Sequence, residues 1–568
     1  MSFEHAYAQY ELWVNDPLID DDTKRELAAL TGNDKELEDR FYRDLEFGTG
    51  GLRGVIGAGT NRMNRYTIAK ATQGLAQSIK LQGRAEPSVA IAYDSRNQSP
   101  EFALEAALVL AGNGVKAYVF ESLRPTPELS FAVRYLGASG GIVITASHNP
   151  PEYNGYKVYG NDGGQLVPHD AERVLEQIHQ VDSLAKVSWL SREDAEAAGL
   201  LQWIGSEIDE AFVQAVASVS LHADAIKQVN DDFHILYTPL HGAGNLSVRH
   251  VLQRIGFQNV HVVPEQELPD ANFSTVKSPN PEERDAFALA LAMAKDTKAD
   301  IIIGTDPDCD RMGAVVQNDK GEFIVLNGNQ SGAIMAYYLL DGLKQKGELP
   351  SNGVLIKTIV TSEMGAVIAQ RYGVSTINTL TGFKYIGEKM TGFEKNGGSQ
   401  FLFGYEESYG YLAGTYCRDK DAVLASMLIC EAAAFYKSQG KTLYEVLQQL
   451  YREFGYFQEQ LESRTMKGID GLEKIKAIMD DWRSNPPSSV GRTAVVSVQD
   501  YLQGIDGLPA ENVLKYTLSD DSWFCLRPSG TEPKIKMYFG VRGASQEEAE
   551  ERLQQLRKSV MSRVDQLQ

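Results

Sequence analysis

Three stretches of this 568-residue chain repeat one pattern: an apolar run, a polar loop, a helix-like stretch, a glycine and a second apolar run. They read SVAIAYDSRNQSPEFALEAALVLAGNGVKAYVFE from Ser88, FHILYTPLHGAGNLSVRHVLQRIGFQNVHVVPE from Phe233 and VLIKTIVTSEMGAVIAQRYGVSTINTL from Val354. Two β-rich runs joined through a helix form a crossover unit, which makes the strands parallel. Gly114, Gly256 and Gly373 fall where each helix has to stop, a place that favours glycine. Such units occur in any large α/β protein, so the pattern alone does not prove duplication. Each unit, however, is followed by another apolar run that opens into an unusual polar loop: GGIVITASHNP, ADIIIGTDPDCDR and SQFLFGYEES. Strand ends of this kind are where α/β proteins gather their sites.

A fourth loop, LRPSGTEPKIK from Leu526 to Lys536, lies between SWFCL and MYFGV in a segment of different pattern. The chain is therefore expected to be α/β, with three similar mixed α/β domains and a smaller C-terminal α+β domain. Boundaries are expected at 1–210, 211–325, 326–455 and 456–568, and a prior of ~100–200 residues per domain agrees with several domains. SNPPSSVGR, from Ser484 to Arg492, reads as a loop or linker near the last domain. The tail SQEEAEERLQQLRKSVMSRVDQL has helical apolar spacing and is expected to cover the final sheet.

With 43% apolar and 23% charged residues the chain can build ordinary cores. Its 76 acidic against 55 basic residues leave a net charge of −21, which opposes binding to nucleic acid or anionic membranes. Four scattered cysteines without a CxxC pair suit a reducing compartment and offer neither a disulfide framework nor a zinc knuckle. The first residues lack a basic and apolar leader, and no apolar run approaches the ~18 residues of a membrane span. A soluble, cytoplasmic protein is expected; the sequence leaves its oligomeric state open.

The sharpest inorganic signal is Asp306-Pro-Asp308-Cys-Asp310, whose alternate carboxylates in an extended loop can converge on one cation, with Pro307 and Cys309 turned away. Oxygen ligands favour Mg²⁺. An EF-hand is excluded because Arg311 and Gln317 stand where glycine and glutamate are needed. An acidic surface turn is the plain alternative, but three carboxylates so close after a buried strand repel one another without a cation. In Thr145-Ala-Ser147-His148-Asn149-Pro150 a serine sits at a strand end beside a histidine; the GxSxG elbow of serine hydrolases is absent. Lys157, in the following YNGYKVY, is either an ordinary solvated lysine or a desolvated one placed to exchange protons. Arg527-Pro-Ser529-Gly530-Thr531-Glu-Pro-Lys534 concentrates cations, hydroxyls and backbone N–H groups suited to a phosphate. The glycine-rich run ending in Arg53-Gly54 has the same character more weakly, and no Walker A sequence exists, since Phe435 stands where Gly440-Lys441-Thr442 would need a glycine. Gly404-Tyr-Glu406-Glu407-Ser408 offers acceptors for vicinal sugar hydroxyls, or else a helix cap. Together the loops suggest phosphoryl transfer on a sugar phosphate.

TASHNP, DPDCDR, GYEES and RPSGTEPK, in that order on three repeated units and a different last domain, resemble the α-D-phosphohexomutase superfamily. The resemblance runs from about Phe47 onward, and GTGGLRG with GYEESYG is most similar to the phosphoglucomutase branch of its bacterial members. It implies four domains around a central cleft, carrying in turn a phosphoserine loop, a metal loop, a sugar-binding loop and a phosphate-binding loop. It further implies that Ser147 carries a phosphoryl group and that Asp306, Asp308 and Asp310, with the oxygen on Ser147, hold Mg²⁺. The implied reaction interconverts α-glucose 1-phosphate and glucose 6-phosphate through glucose 1,6-bisphosphate, which also serves as activator. Arg53, His148 and Lys157 would assist catalysis, with Lys157 or His148 handling the proton. Arg311, Lys384, Glu406, Ser408 and Lys420 would bind substrate, and Arg527, Ser529, Gly530, Thr531 and Lys534 its distal phosphate. Glu-Glu-Ser in the third loop goes with glucose in this superfamily. Gly50 and Tyr405 depart from many relatives at their positions. Phosphomannomutase, phosphopentomutase and bisphosphate-synthesising activities, a phosphatase working through phosphoserine, and a non-catalytic structural relative are the alternatives.

Overall fold

The structure is a computed structural model that describes residues 3–48, 50–466, 468–505, 507–529 and 534–566. Its first sheet contains β1 (Gly51–Val55), β2 (Ser88–Tyr93), β3 (Lys116–Phe120), β4 (Gly140–Ile144), β5 (Tyr153–Tyr159) and β6 (Leu201–Ile204), in the order β1-β5-β4-β2-β3-β6. The second holds β7 (Ile235–Thr238), β8 (Val260–Val262), β9 (Ile301–Thr305), β10 (Met312–Gln317) and β11 (Phe323–Leu326), ordered β11-β10-β9-β7-β8. The third has β12 (Gly353–Thr358), β13 (Ser375–Thr379), β14 (Gln400–Glu406) and β15 (Gly410–Ala413), ordered β13-β12-β14-β15.

One four-stranded motif underlies all three sheets. A central strand (β2, β7 or β12) lies parallel to the strand on either side, and one of those neighbours continues into an antiparallel hairpin partner (β5, β10 or β15). The repeated pattern of the sequence thus corresponds to a repeated topology. Gly114, Gly256 and Gly373 have φ of 72°, 112° and 73°, the left-handed backbone that ends each crossover helix without a Cβ penalty. Because β4, β9 and β14 occupy equivalent places, the TASHNP, DPDCDR and GYEES loops all leave from equivalent strand ends. The wholly buried β4 and β9 are continuous apolar runs, as expected of strands covered on both faces.

The last sheet is antiparallel, with β16 (Tyr456–Thr465), β17 (Ser489–Val490), β18 (Thr493–Asp500), β19 (Leu514–Leu518), β20 (Trp523–Pro528) and β21 (Lys534–Gly543) in the order β16-β21-β20-β19-β18-β17. Alternation along β20 sends Phe524 and Leu526 under the helices Gly468–Ser484 and Gln546–Gln566, where they meet Trp482, Leu553 and Val560. Trp523 and Cys525 face the opposite way, onto Ile359, Val360, Leu380 and Tyr385 of the third unit. The C-terminal helix covers the sheet as its spacing predicts. Ser484–Arg492 lies inside this last unit, between a helix and β18, and contains β17; it does not link separate domains. The chain reversal in it is made by Gly491 and Arg492, between β17 and β18, with Gly491 at φ 59°.

The helix Ala422–Ser438 is apolar on all sides because it is buried between the second and third units. At the N-terminus the helices Phe3–Asn15, Asp21–Ala28 and Asp34–Phe41 form a small cluster around Ala6, Leu27, Leu37 and Phe41, which packs on Ala58 of the first unit.

Candidate active site

Ser147 follows β4 in the left-handed region, at φ 51°, a costly place for a residue with a Cβ. The loop that holds it there is over-determined. Arg96, buried at the end of β2, donates to the carbonyls of Ser147 and Asn149 at 2.5 Å each and to those of Pro150 and Tyr153 at 2.8 and 3.0 Å. Thr145 Oγ1 donates to Asp94 and accepts the Ser147 N–H at 2.8 Å. The serine is only 4% exposed, and its Oγ donates to Asp306 Oδ2 at 2.8 Å. His148 Nδ1 lies 3.3 Å from the same Oγ. Burial, then the charges of Arg311 and Arg53, push the His148 imidazole down to about 3, so it is neutral. Arg53 on β1 reaches the loop from the other side, donating to Asn149 Oδ1 at 3.2 Å.

Asp306, Asp308 and Asp310 are buried, and each offers a ligand oxygen within 4.8 Å of those of the other two. One oxygen of each is already held by the protein. Asp306 Oδ1 accepts the Asp310 and Arg311 N–H groups at 3.1 and 2.9 Å. Asp308 Oδ2 accepts from Lys157 Nζ at 2.8 Å, and Asp310 Oδ2 from Lys420 Nζ at 2.9 Å. The second oxygens, Asp308 Oδ1 and Asp310 Oδ1, are buried with no hydrogen-bond partner. Buried acceptors left over in a three-carboxylate pocket fit a hard divalent cation such as Mg²⁺. Against the cost of burial, Lys157 and Lys420 hold Asp308 below the usual carboxylate range, while burial beside Asp308 and Asp310 pushes Asp306 well up. Lys157 and Lys420 are themselves kept protonated by these aspartates despite burial. Cys309 is turned into the core.

The third loop meets the second. Arg311 donates to the Ser408 carbonyl at 3.2 Å and to Glu282 at 2.6 Å. The two glutamates part company: Glu407 accepts from Thr358 and Thr361, whereas Glu406 accepts the Gly382 N–H at 2.9 Å. Burial, then the charge of Glu407, pushes Glu406 up to about 7. Tyr405 points to the opposite face, where its ring fills the space left by Gly332 and Gly365. A Cβ at either glycine would come within 2.2 or 2.4 Å of the tyrosine. Tyr405 is thus accommodated in the core, away from Glu406.

Lys384 is the second residue of the helix Phe383–Asn396, which Gly382 precedes, and shares charge interactions with Glu511 and Arg527 of the last unit. Arg527 Nε donates to Glu511 Oε1 at 2.7 Å, and the Ser529 N–H donates to the Lys534 carbonyl at 2.7 Å. Gly530 and Thr531 lie outside the described residues. The motifs therefore meet in pairs: the first loop with the second at Ser147–Asp306, the second with the third at Arg311–Ser408, and the third unit with the fourth at Lys384 and Arg527. Sequence reasoning overlooked Asp94, Arg96, Thr126, Glu282, Glu511 and the half-buried Lys536, which faces Arg527, Lys534 and Glu407. Asp94 and Arg96 follow β2, and Thr126 follows β3, so the rule of strand ends applied to every strand would have found them.

A serine hydroxyl set against a buried carboxylate triad, with arginine and lysine side chains around it, suits an enzyme that transfers an anionic group. Four successive regions match the domains of one family: residues 44–185, 210–321 and 327–454 the phosphoglucomutase/phosphomannomutase α/β/α domains I, II and III, and residues 467–559 its C-terminal domain. The chain belongs to the phosphoglucomutase/phosphomannomutase family. Among curated relatives, a phosphoglucomutase of Staphylococcus haemolyticus is 39% identical over 516 residues, covering 89% of this chain and 91% of that protein. A phosphoglucomutase of Staphylococcus aureus is 36% identical over 547 residues, covering 94% and 95%. Among solved structures, the open form of the phosphoprotein parafusin, a phosphoglucomutase from Paramecium, has the same fold at 17% identity, with TM-score 0.70 over 93% of this chain and 96% of that one. No helix among the described residues is long and apolar enough to cross a membrane.

Proposed function

We propose that the chain is a phosphoglucomutase that interconverts α-glucose 1-phosphate and glucose 6-phosphate by way of a phosphoserine and glucose 1,6-bisphosphate. The observation that carries this reading is Ser147 Oγ set against the buried aspartate triad, with Arg311 tying the triad's loop to Ser408 of the third loop. Its relatives of 36–39% identity bear that name.

In the forward direction, the P–O bond to phosphorylated Ser147 breaks as a new P–O bond forms to the sugar's C6 hydroxyl, whose proton passes to a protein base. The departing Ser147 oxygen takes up a proton; the bisphosphate then turns over, the bond between phosphorus and O1 breaks as Ser147 Oγ gives up its proton and is rephosphorylated, and O1 becomes a hydroxyl. Both steps need positioning and charge neutralisation more than covalent help. Asp306, Asp308, Asp310 and the oxygen on Ser147 would hold Mg²⁺, which would supply positive charge to the phosphoryl group. Arg53 and Arg311 add further charge. Lys157, held protonated by Asp308 and Asp310, stabilises the phosphoryl oxygens, and neutral His148 is in reach of the serine oxygen as proton carrier. Glu406 and Ser408 bind sugar hydroxyls, Lys420 orients Asp310 and the substrate, and Lys384, Arg527, Ser529, Gly530, Thr531 and Lys534 hold the phosphate that is not reacting. The domains divide, to within a few residues, as 1–210, 211–325, 326–455 and 456–568; position 210 itself falls inside the helix Ser206–Ala217 and 325 inside β11. Buried, unpaired cysteines at 309, 417, 430 and 525 suit the cytoplasm.

The test is a coupled assay of glucose 1-phosphate against mannose and ribose 1-phosphates, primed with glucose 1,6-bisphosphate. Preferred turnover of the glucose ester is expected. Preference for either other sugar, or release of inorganic phosphate in place of isomerisation, overturns the reading.

A further inference from the structure

The helix Thr126–Tyr135 belongs to the first repeated unit, yet its first residue reaches into the metal loop of the second. Thr126 is fully buried. Its N–H donates to the Asp308 carbonyl at 2.8 Å, and its Oγ1 donates to Asp308 Oδ2 at 3.0 Å. Lys157 donates to that same Oδ2 at 2.8 Å, so this oxygen has two donors while Oδ1 has none. A carboxylate held by one oxygen in this way presents the other, with its lone pairs available, in a fixed direction.

The donor is itself rigidly placed. Pro125 caps the helix and Pro127 follows Thr126, which restricts the turn from both sides. Two residues on, Glu128 Oε2 accepts from Ser247 of the second unit at 3.1 Å. The Thr126 backbone bond by itself would dock the loop, so the hydroxyl adds something distinct, namely the orientation of one carboxylate.

We propose that Thr126 is a positioning residue of the metal centre, setting Asp308 Oδ1 toward the cation by holding Oδ2. This rests on the assignment of Asp306, Asp308 and Asp310 as a divalent cation site. Outer-sphere hydrogen bonds to ligating carboxylates commonly control metal affinity by about ten- to a hundred-fold.

The experiment is a Mn²⁺ titration of the full-length protein followed by electron paramagnetic resonance, on wild type, Asp308→Asn, Thr126→Val and Thr126→Ser. Thr126→Val keeps the volume and the backbone bond but removes the hydroxyl. It is expected to raise the Mn²⁺ dissociation constant by about ten-fold or more, with thermal unfolding little changed. Thr126→Ser is expected to stay within about two-fold of wild type. An unchanged constant in Thr126→Val overturns the proposal, and so does a loss in Thr126→Ser as large as in Thr126→Val, which would mark a packing role. If Thr126→Val does not fold, Thr126→Cys, with a weak donor of similar size, is judged by the same criteria. Failure of the metal assignment is separately visible: wild type would then show no Mn²⁺ binding that Asp308→Asn removes.

Discussion

Ser147 Oγ and Asp306 Oδ2 are joined by a 2.8 Å hydrogen bond that spans 159 positions of sequence and two separately folded sheets. Asp306 Oδ1 is occupied by two backbone N–H groups of its own loop, so only Oδ2 can face the serine. On the other side Ser147 is held at positive φ by Arg96 and Thr145. Both partners are fixed before any ligand arrives, which is what a group carrier next to a cation requires.

Replacement of Ser147 by alanine removes that carrier, and turnover is expected to fall on the order of 10⁴-fold or more. Intact-mass analysis after incubation with glucose 1,6-bisphosphate should show a phosphate adduct in wild type and none in Ser147→Ala. An adduct that persists in the variant and maps to another residue would overturn the assignment.

Removal of divalent cations should stop turnover and restored Mg²⁺ should return it, without refolding, because the three aspartates stay anchored by backbone N–H groups and by Lys157 and Lys420. Circular dichroism should be the same with and without chelator. Full activity after exhaustive chelation, with the metal content measured, would refute this.

The repeated units were legible because parallel crossovers impose a pattern on the chain: buried strands are continuous apolar runs, and helix ends need glycine at positive φ, as at Gly114, Gly256 and Gly373. The triad at Asp306, Asp308 and Asp310 was legible for a similar reason, its spacing being local. What could not be read was any relation between units. Nothing near Thr126 in sequence announces a bond to Asp308, and nothing in GYEES says that Glu406 and Glu407 point to different partners. Likewise the space for Tyr405 depends on Gly332 and Gly365, tens of residues away and on other elements. Such contacts are set by tertiary packing, which leaves no periodic trace.

Glu406 supplies a pH dependence. Its carboxyl is pushed up to about 7 by burial and the neighbouring Glu407, so below that pH it is protonated and a poorer acceptor for sugar hydroxyls. The acid side of the pH profile of kcat/KM should therefore fall through about pH 7. In Glu406→Gln the value should be lower throughout and that limb should vanish, leaving only the titration of the substrate phosphate at about pH 6. An unaltered limb in the variant would assign it to another group.

Glu459, on β16, governs stability in place of chemistry. Burial, opposed by a hydrogen bond from Ser362 and reinforced by Glu363, raises its carboxyl to about 7. The folded state therefore binds this proton more tightly than the unfolded chain, and the stability it contributes is present below about pH 4.5 and lost as pH rises through about 7. Glu459→Gln cannot ionise and still accepts from Asn329, so it should melt higher than wild type at pH 8 and about equally at pH 5. Equal melting temperatures at both values would show that the glutamate is not held neutral.

The last expectation concerns two cations from different units. Lys384 lies in the first turn of a helix of the third unit and Arg527 is the penultimate residue of β20 of the fourth, and both face Glu511. Burial, with the nearby charge of Arg527, lowers the Lys384 ammonium to about 8, so the pair is poised to gain from a phosphate dianion and to lose charge in mild alkali. If they hold the phosphate that is not reacting, kcat/KM should decline above about pH 8, because that profile reports the free enzyme. Bound phosphate favours the charged lysine, so the matching limb in kcat should lie at higher pH. Lys384→Arg, which stays charged, should remove the alkaline limb; Lys384→Ala and Arg527→Ala should raise KM on the order of ten-fold in both directions of the reaction. Because the Arg527–Glu511 pair is partly exposed, the melting temperature should change little in Arg527→Ala. The competing view, in which these residues only fasten the last unit to the third, requires the opposite: a clear drop in melting temperature with KM unchanged. Measuring KM in both directions together with thermal unfolding on these three variants separates the two, and an alkaline limb that survives in Lys384→Arg would exclude the lysine as its source.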